Sequence, residues 1–125
     1  MIERDLTDAD GIITVTSTNR WTEAELNAHF DALRAIIAQK RQAGEQIRVL
    51  SDVTGAGEQD AGTGALILAQ FRRTYRPEDR VAMLTANENV KMVVRAMLQD
   101  FNIAAFSSRL PAEMWLMADG LPPPR

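Results

Sequence analysis

The chain has 125 residues, of which 46% are apolar and 25% charged, with a formal net charge of −3. That length predicts one domain, large enough to build a core without staples, and the balance excludes bulk disorder. With no cysteine and a single histidine, His29, disulfides, thiol catalysis and thiolate metal sites are excluded, and a zinc site or histidine triad is disfavoured. No apolar run approaches the ~18 residues of a membrane span. The start, Met1-Ile2-Glu3-Arg4-Asp5, is not a signal peptide. The negative balance gives no electrostatic case for nucleic acid. A cytoplasmic protein is expected, with no cofactor and no metal.

The first segment reads as a hairpin. Ile2 to Leu6 is a short edge strand, Thr7-Asp8-Ala9-Asp10-Gly11 is turn chemistry, and Ile12-Ile13-Thr14-Val15-Thr16 is a β-branched strand with Ile13 and Val15 on one face. Thr22-Glu23-Ala24-Glu25 then matches a capping box, with Trp21 and Leu26 as a hydrophobic staple. Leu26, Phe30, Leu33 and Ile37 lie on one side of the helix it opens. Lys40 and Arg41 suit its last turn, and Gly44 can end it in the left-handed region.

Ile47 to Val53 predicts a mostly buried strand. Thr54 to Gly62 reads as a glycine-rich loop, and a second helix runs from about Thr63 to Tyr75. Its start (Ala65, Leu66, Ile67, Leu68, Ala69) is apolar nearly all round, so good cover is expected there. Arg76-Pro77 ends it. Arg80 to Thr85 predicts another buried strand. Asn87 or a neighbour caps a helix to Phe101, with Val90, Val94, Met97 and Phe101 facing inward and Glu88, Lys91, Arg95 and Gln99 facing water. Asn102 to Ser107 is the last strand. A final helix runs from Pro111 to Asp119, stopped by Gly120. The domain is expected over 1–120, with Pro-rich 121–125 as a mobile tail. The order is ββαβαβαβα, which argues for a mixed, mostly parallel sheet.

The segment from Thr54 to Gly64 leaves a strand's C-terminal end and enters a helix, where open α/β sheets bind ligands. It lacks the third glycine of a dinucleotide fingerprint and the Gly-Lys-Ser/Thr of a P-loop. The candidate ligand or switch residues are Asp52, Thr54, Gly55, Gly57, Asp60, Gly62 and Thr63. Asp52 with Thr85 has some of the pattern of a receiver domain, but the chain starts β-β and has Ser107-Ser108-Arg109 where a receiver carries lysine. Arg72, Arg73, Arg76 and Arg80 read as a solvated face, His29 as a boundary residue, and the internal methionines as core filler. Trp115 reads as docking on the sheet or covering a cavity, and Trp21 as partly exposed at a helix entry and a candidate contact residue, with packing the expectation for both. No nucleophile has an activator, so no enzyme and no catalytic residue is expected.

Several segments together resemble the STAS domains, and more closely the small stand-alone SpoIIAA-like bacterial proteins. The carriers are Thr22 to Gly44, Ile47-Arg48-Val49-Leu50-Ser51-Asp52-Val53, Arg80-Val81-Ala82-Met83-Leu84, and Phe106 with Ala112-Glu113-Met114-Trp115-Leu116. The resemblance implies one α/β domain, a four- or five-stranded sheet and helices mainly on one face. It implies a non-catalytic regulatory or protein-interaction module, commonly a homodimer, whose partner is an unidentified protein or small ligand. Anti-sigma antagonists of this class carry a phosphorylatable serine in a turn that matches Gln59-Asp60-Ala61-Gly62-Thr63-Gly64 here. That stretch has no serine, and Thr63 is its only hydroxyl. The alternative is an apolar or acyl ligand bound near the 54–64 loop, which requires a pocket of roughly 300 Å³ or more.

Overall fold

The computed structural model describes residues 2–5, 11–56, 61–99 and 101–118. The elements are β1 (Ile2–Asp5), β2 (Ile12–Asn19), α1 (Glu23–Gln42), β3 (Arg48–Ala56), α2 (Ala61–Thr74), β4 (Arg80–Leu84), α3 (Glu88–Met97), β5 (Ile103–Phe106) and α4 (Arg109–Met117). This is the expected order. The strands form one sheet in the order β1-β2-β3-β4-β5. β1 runs antiparallel to β2, and every other neighbouring pair is parallel. The short connection before β2 can close only an antiparallel pair, whereas α1, α2 and α3 are the crossovers that parallel neighbours require.

Local chemistry sets the helix ends. The Thr22 hydroxyl accepts from the Glu25 amide at 3.0 Å, and the Asn87 side chain accepts from the Val90 amide at 3.0 Å. Gly44 follows α1 with φ of 75°, the left-handed conformation that glycine adopts without a Cβ penalty.

Helices α1, α2 and α3 lie on one face of the sheet and α4 on the other. On the first face Leu26, Phe30, Leu33 and Ile37 of α1 and Phe71 of α2 bury against Ile13, Val15, Val49, Val81 and Met83. Polar ties lock α1 to α2 above this core. Arg34 Nη1 donates to Gln70 Oε1 at 2.6 Å and to Thr74 Oγ1 at 3.2 Å, and Gln70 Nε2 donates to Asn27 Oδ1 at 2.9 Å. On the second face Ala112, Trp115 and Leu116 of α4 cover Ile12, Leu50, Ala82, Leu84, Ala104 and Phe106.

Two arginines hold the end of α4. Arg80 Nη2 donates to the Trp115 carbonyl at 2.6 Å, and Arg48 Nε donates to the Leu116 carbonyl at 3.0 Å. The Arg80 guanidinium also stacks on the Trp115 ring, 4.0 Å from its centroid. Cations at a helix C-terminus meet the orphan carbonyls and the negative end of the dipole. Arg80 is therefore buried, not part of a solvated arginine face as its neighbours Arg72, Arg73 and Arg76 are.

Other expectations fail for identifiable reasons. The loop expected over 54–64 is much shorter. β3 continues to Ala56 because β2 pairs with it as far as Asn19↔Ala56, and α2 already begins at Ala61. The start of α2 is only half covered: Leu66, Ile67 and Leu68 are half-buried, and Ala65 and Ala69 are exposed. The last helix starts two residues before Pro111, after an N-cap at Ser108. Of the internal methionines only Met83 is core, since Met92, Met97, Met114 and Met117 are all exposed. The expected tail, 121–125, and the stop at Gly120 lie outside the described residues.

Candidate functional site

The seven candidate residues do not converge on one cleft. Asp52 lies on the face of β3 that α4 shares, two residues from Leu50 of the α4 core, and Thr54 follows it at the bulge. There Asp52 Oδ1 accepts from the Thr54 amide at 3.0 Å and from the Thr54 hydroxyl at 2.6 Å. Gly62 and Thr63 sit in the first turn of α2, on the opposite side of the sheet. Gly57 and Asp60 lie outside the described residues. Gly55 has a packing reason. It pairs with Thr18 just past a bulge in the β2–β3 ladder, and a Cβ there would meet Thr18 Cγ2 at 3.2 Å.

A cavity does open on the three-helix face, at the inner side of α1 and α2. Its lining includes Trp21, His29, Ser17, Val53, Ile67 and Phe71, and its volume is about 40 Å³. That is room for a water or two, far below what an acyl chain or a drug-sized ligand needs. The small-ligand alternative therefore finds no support there.

His29 borders this cavity. It is buried, not a boundary residue, and its Nδ1 accepts from Arg4 Nη1 of β1 at 2.9 Å. Burial and then the adjacent Arg4 charge push its pKa down to about 4, so the ring is neutral at pH 7. Sequence reasoning missed this pair because its members are 25 residues apart and meet only through the β1–β2 ladder. Asp79 is a second buried polar tie. It accepts from Arg41 of α1 and from the Arg76 amide. Burial holds its carboxyl above the usual range, opposed by those same partners. Both groups read as structural ties, since nothing reactive faces them.

Helix α3 departs most from its sequence pattern. Val90, Val94 and Met97 share one side of it, but only Val94 packs on the core, and Val90, Met92, Val93 and Met97 are exposed. No residue of α3 is buried. The side expected to be wet is instead turned partly inward. Lys91 is 18% exposed and pairs with Glu88 at 4.0 Å. Arg95 is half-buried, and its Nε is buried without a hydrogen-bond partner among the described residues. An amphipathic helix that packs only on its own domain turns its whole apolar side inward, which here would be Val90 and Met97 together with Val94. α3 thus presents an apolar stripe to its surroundings, beside the half-covered start of α2.

Among the described residues no group of His, Asp and Glu could hold a metal ion. Nor is any described helix long and apolar enough to cross a membrane. No model of a known protein family matches the sequence, and no curated protein matches it. Solved structures do match. One is an uncharacterised protein of the DUF3478 family with a SpoIIAA-like fold from Shewanella loihica PV-4. It is 13% identical over 93% of this chain and 92% of that one, with a TM-score of 0.64. Another is the anti-sigma factor antagonist SpoIIAA in its unphosphorylated form, 10% identical over 91% of this chain and 94% of that one, with a TM-score of 0.57. At such identities the likeness is one of fold, and it covers more than nine-tenths of this chain in both cases. The chain has the SpoIIAA-like fold.

Proposed function

We propose that this chain is a non-catalytic regulatory module of the STAS type that acts by docking on a partner protein. In this reading it works as a homodimer in the bacterial cytoplasm. The observation that carries the docking is α3, with Val90, Met92, Val93 and Met97 exposed while Lys91 and Arg95 are turned partly inward. Apolar side chains gathered on one element, many of them adaptable methionines, suit a protein surface. One fold neighbour is an anti-sigma factor antagonist, which supports a role exerted on another protein. Sigma-factor control itself is not carried over, because the stretch matching the family's phosphoserine turn has Thr63 as its only hydroxyl.

The test is affinity recovery of the tagged chain from its own cells, with Val93→Lys in parallel. Ala35→Lys, at an exposed position on α1, serves as the control. One protein should be recovered at near-equal amounts with the wild type and the control, and fall about tenfold with Val93→Lys. A partner that survives Val93→Lys would remove α3 from the reading. Recovery of no protein by any form would remove the docking module itself.

A further inference from the structure

We propose that the α4 face of the sheet is the dimer interface, in which the α4 helix of each copy lies on the half of the partner's sheet that its own α4 leaves bare. Two observations meet on this face. The first is α4 itself. Its inner side buries Ala112, Trp115 and Leu116. Its outer side carries Leu110, Met114 and Met117, which are 67%, 64% and 44% exposed. Those three positions are spaced i, i+4, i+7 and form a stripe directly opposite the buried one. A helix that is apolar on two opposite sides belongs between two layers.

The second observation is the sheet beside it. α4 packs on β3, β4 and β5. On the same face Glu3 and Thr16 are exposed, and Thr14, Thr18 and Asp52 are half-buried. β2 and β3 are a parallel pair, and parallel strands are normally covered on both faces.

The helix and the bare half-sheet lie side by side. A twofold axis running along the strands, between two sheets packed face to face, places each helix over the other copy's bare half. Such an interface is closed and self-complementary. The charges also match. α4 starts just after the C-terminal end of β5 and ends at Arg48 and Arg80, the first residues of β3 and β4, so it runs antiparallel to them. Its N-terminal end, with Arg109 and the positive end of the dipole, therefore lies at the same end of the sheet as Asp52 and Thr18. The rotation brings it against the partner copy's acidic stretch, where Glu3 is paired with Thr16 and Thr16 with Asp52. Arg109 keeps its 2.7 Å bond to Glu113 on the flank of the helix.

The size is modest. Three strands of about five residues present roughly 14 by 16 Å, and the outer side of α4 adds roughly 14 by 10 Å. That footprint, roughly 360 Å² per copy, is smaller than a standard specific interface, so the dimer is a weak, transient one that should dissociate at micromolar or higher concentrations.

Sedimentation equilibrium of the full chain from roughly 1 to 300 µM tests this. The wild type should pass from monomer to dimer across that range. Met114→Lys and Thr16→Lys, both at exposed positions, should each raise Kd at least about tenfold, with circular dichroism unchanged. Arg109→Glu and Glu3→Arg should each weaken the dimer, and the double variant should regain part of the loss. Val93→Lys, on the other face, should leave Kd unchanged. A monomer at every concentration would overturn the interface, as would a dimer indifferent to Met114→Lys and Thr16→Lys. This inference rests on the dimeric reading and not on α3 docking. A monomer that still recovers its partner through Val93 would sink the interface alone.

Discussion

The two faces of the sheet are built on different plans. The three-helix face spreads its core over α1, α2, β2, β3 and β4, and adds polar ties at Arg34–Gln70, Arg41–Asp79 and Arg4–His29. The α4 face rests on one helix of nine residues, closed by a single ring, Trp115, with Arg80 beneath it. The difference teaches where redundancy lies. A defect on the first face is shared among several helices, while a defect under α4 has no second element to absorb it.

The sharpest way to break that contrast is Trp115→Ala. Removing a ring that is 5% exposed and packed 5.9 Å from the Phe106 ring should cost about 3–5 kcal/mol in denaturant unfolding. Phe71→Ala should cost a similar total. The faces then separate by hydrogen exchange. Trp115→Ala should raise exchange along the whole of α4 and β5, and Phe71→Ala should raise it mainly near α2. A similarly local effect from both variants would abolish the distinction.

Next in size is acid sensitivity on the three-helix face. The folded pKa of His29 is depressed to about 4 from an ordinary 6.5. The unfolded chain therefore binds more protons between those values. Stability should be undiminished above pH 6.5 and fall as pH drops through that window, by roughly 3 kcal/mol in all. His29→Gln keeps an acceptor for Arg4 but cannot titrate. The difference between wild type and variant isolates the histidine, and parallel stability–pH curves would show that His29 carries no such linkage.

The smallest effect concerns the α1–α2 tie. Gln70 is 6% exposed and bonded at both ends, to Arg34 and Asn27. Gln70→Ala should cost about 1 kcal/mol, because it takes one bond each from the half-buried Arg34 and Asn27. Gln70→Ala combined with Arg34→Met should cost less than the sum of the two single changes. Strict additivity would mean that the two residues do not act as one tie.

Much of the fold was legible because its signals are local. The Thr22 and Asn87 caps, the β-branched run before Val15 and the apolar run from Ile47 each act within a few residues. The SpoIIAA-like order follows from them. The site was far less legible. Gly55 reads as a strand breaker, yet it extends β3, because its missing Cβ is what lets Thr18 approach. Arg80 reads as a surface cation, yet it bonds the carbonyl and stacks on the ring of Trp115, 35 residues away in sequence. α3 is turned from its expected phase, since Val90 and Met97 are exposed while Val94 still packs on the core, and a sequence pattern does not report how far a helix is turned. The readings that failed depended on tertiary partners.

The Arg4–His29 contact has a practical consequence at low pH. β1 is a four-residue edge strand, and among the described residues it is all that pairs with the outer edge of β2. Protonating His29 sets two cations against each other at the point where α1 grips β1. A loosened β1 would bare an eight-residue strand, Ile12–Asn19, rich in threonine, valine and isoleucine. Such an edge is a template for another chain. Acid elution or storage near pH 4 is therefore the condition under which this protein should begin to form fibrils, and buffers above pH 6.5 are the ones that keep it in solution.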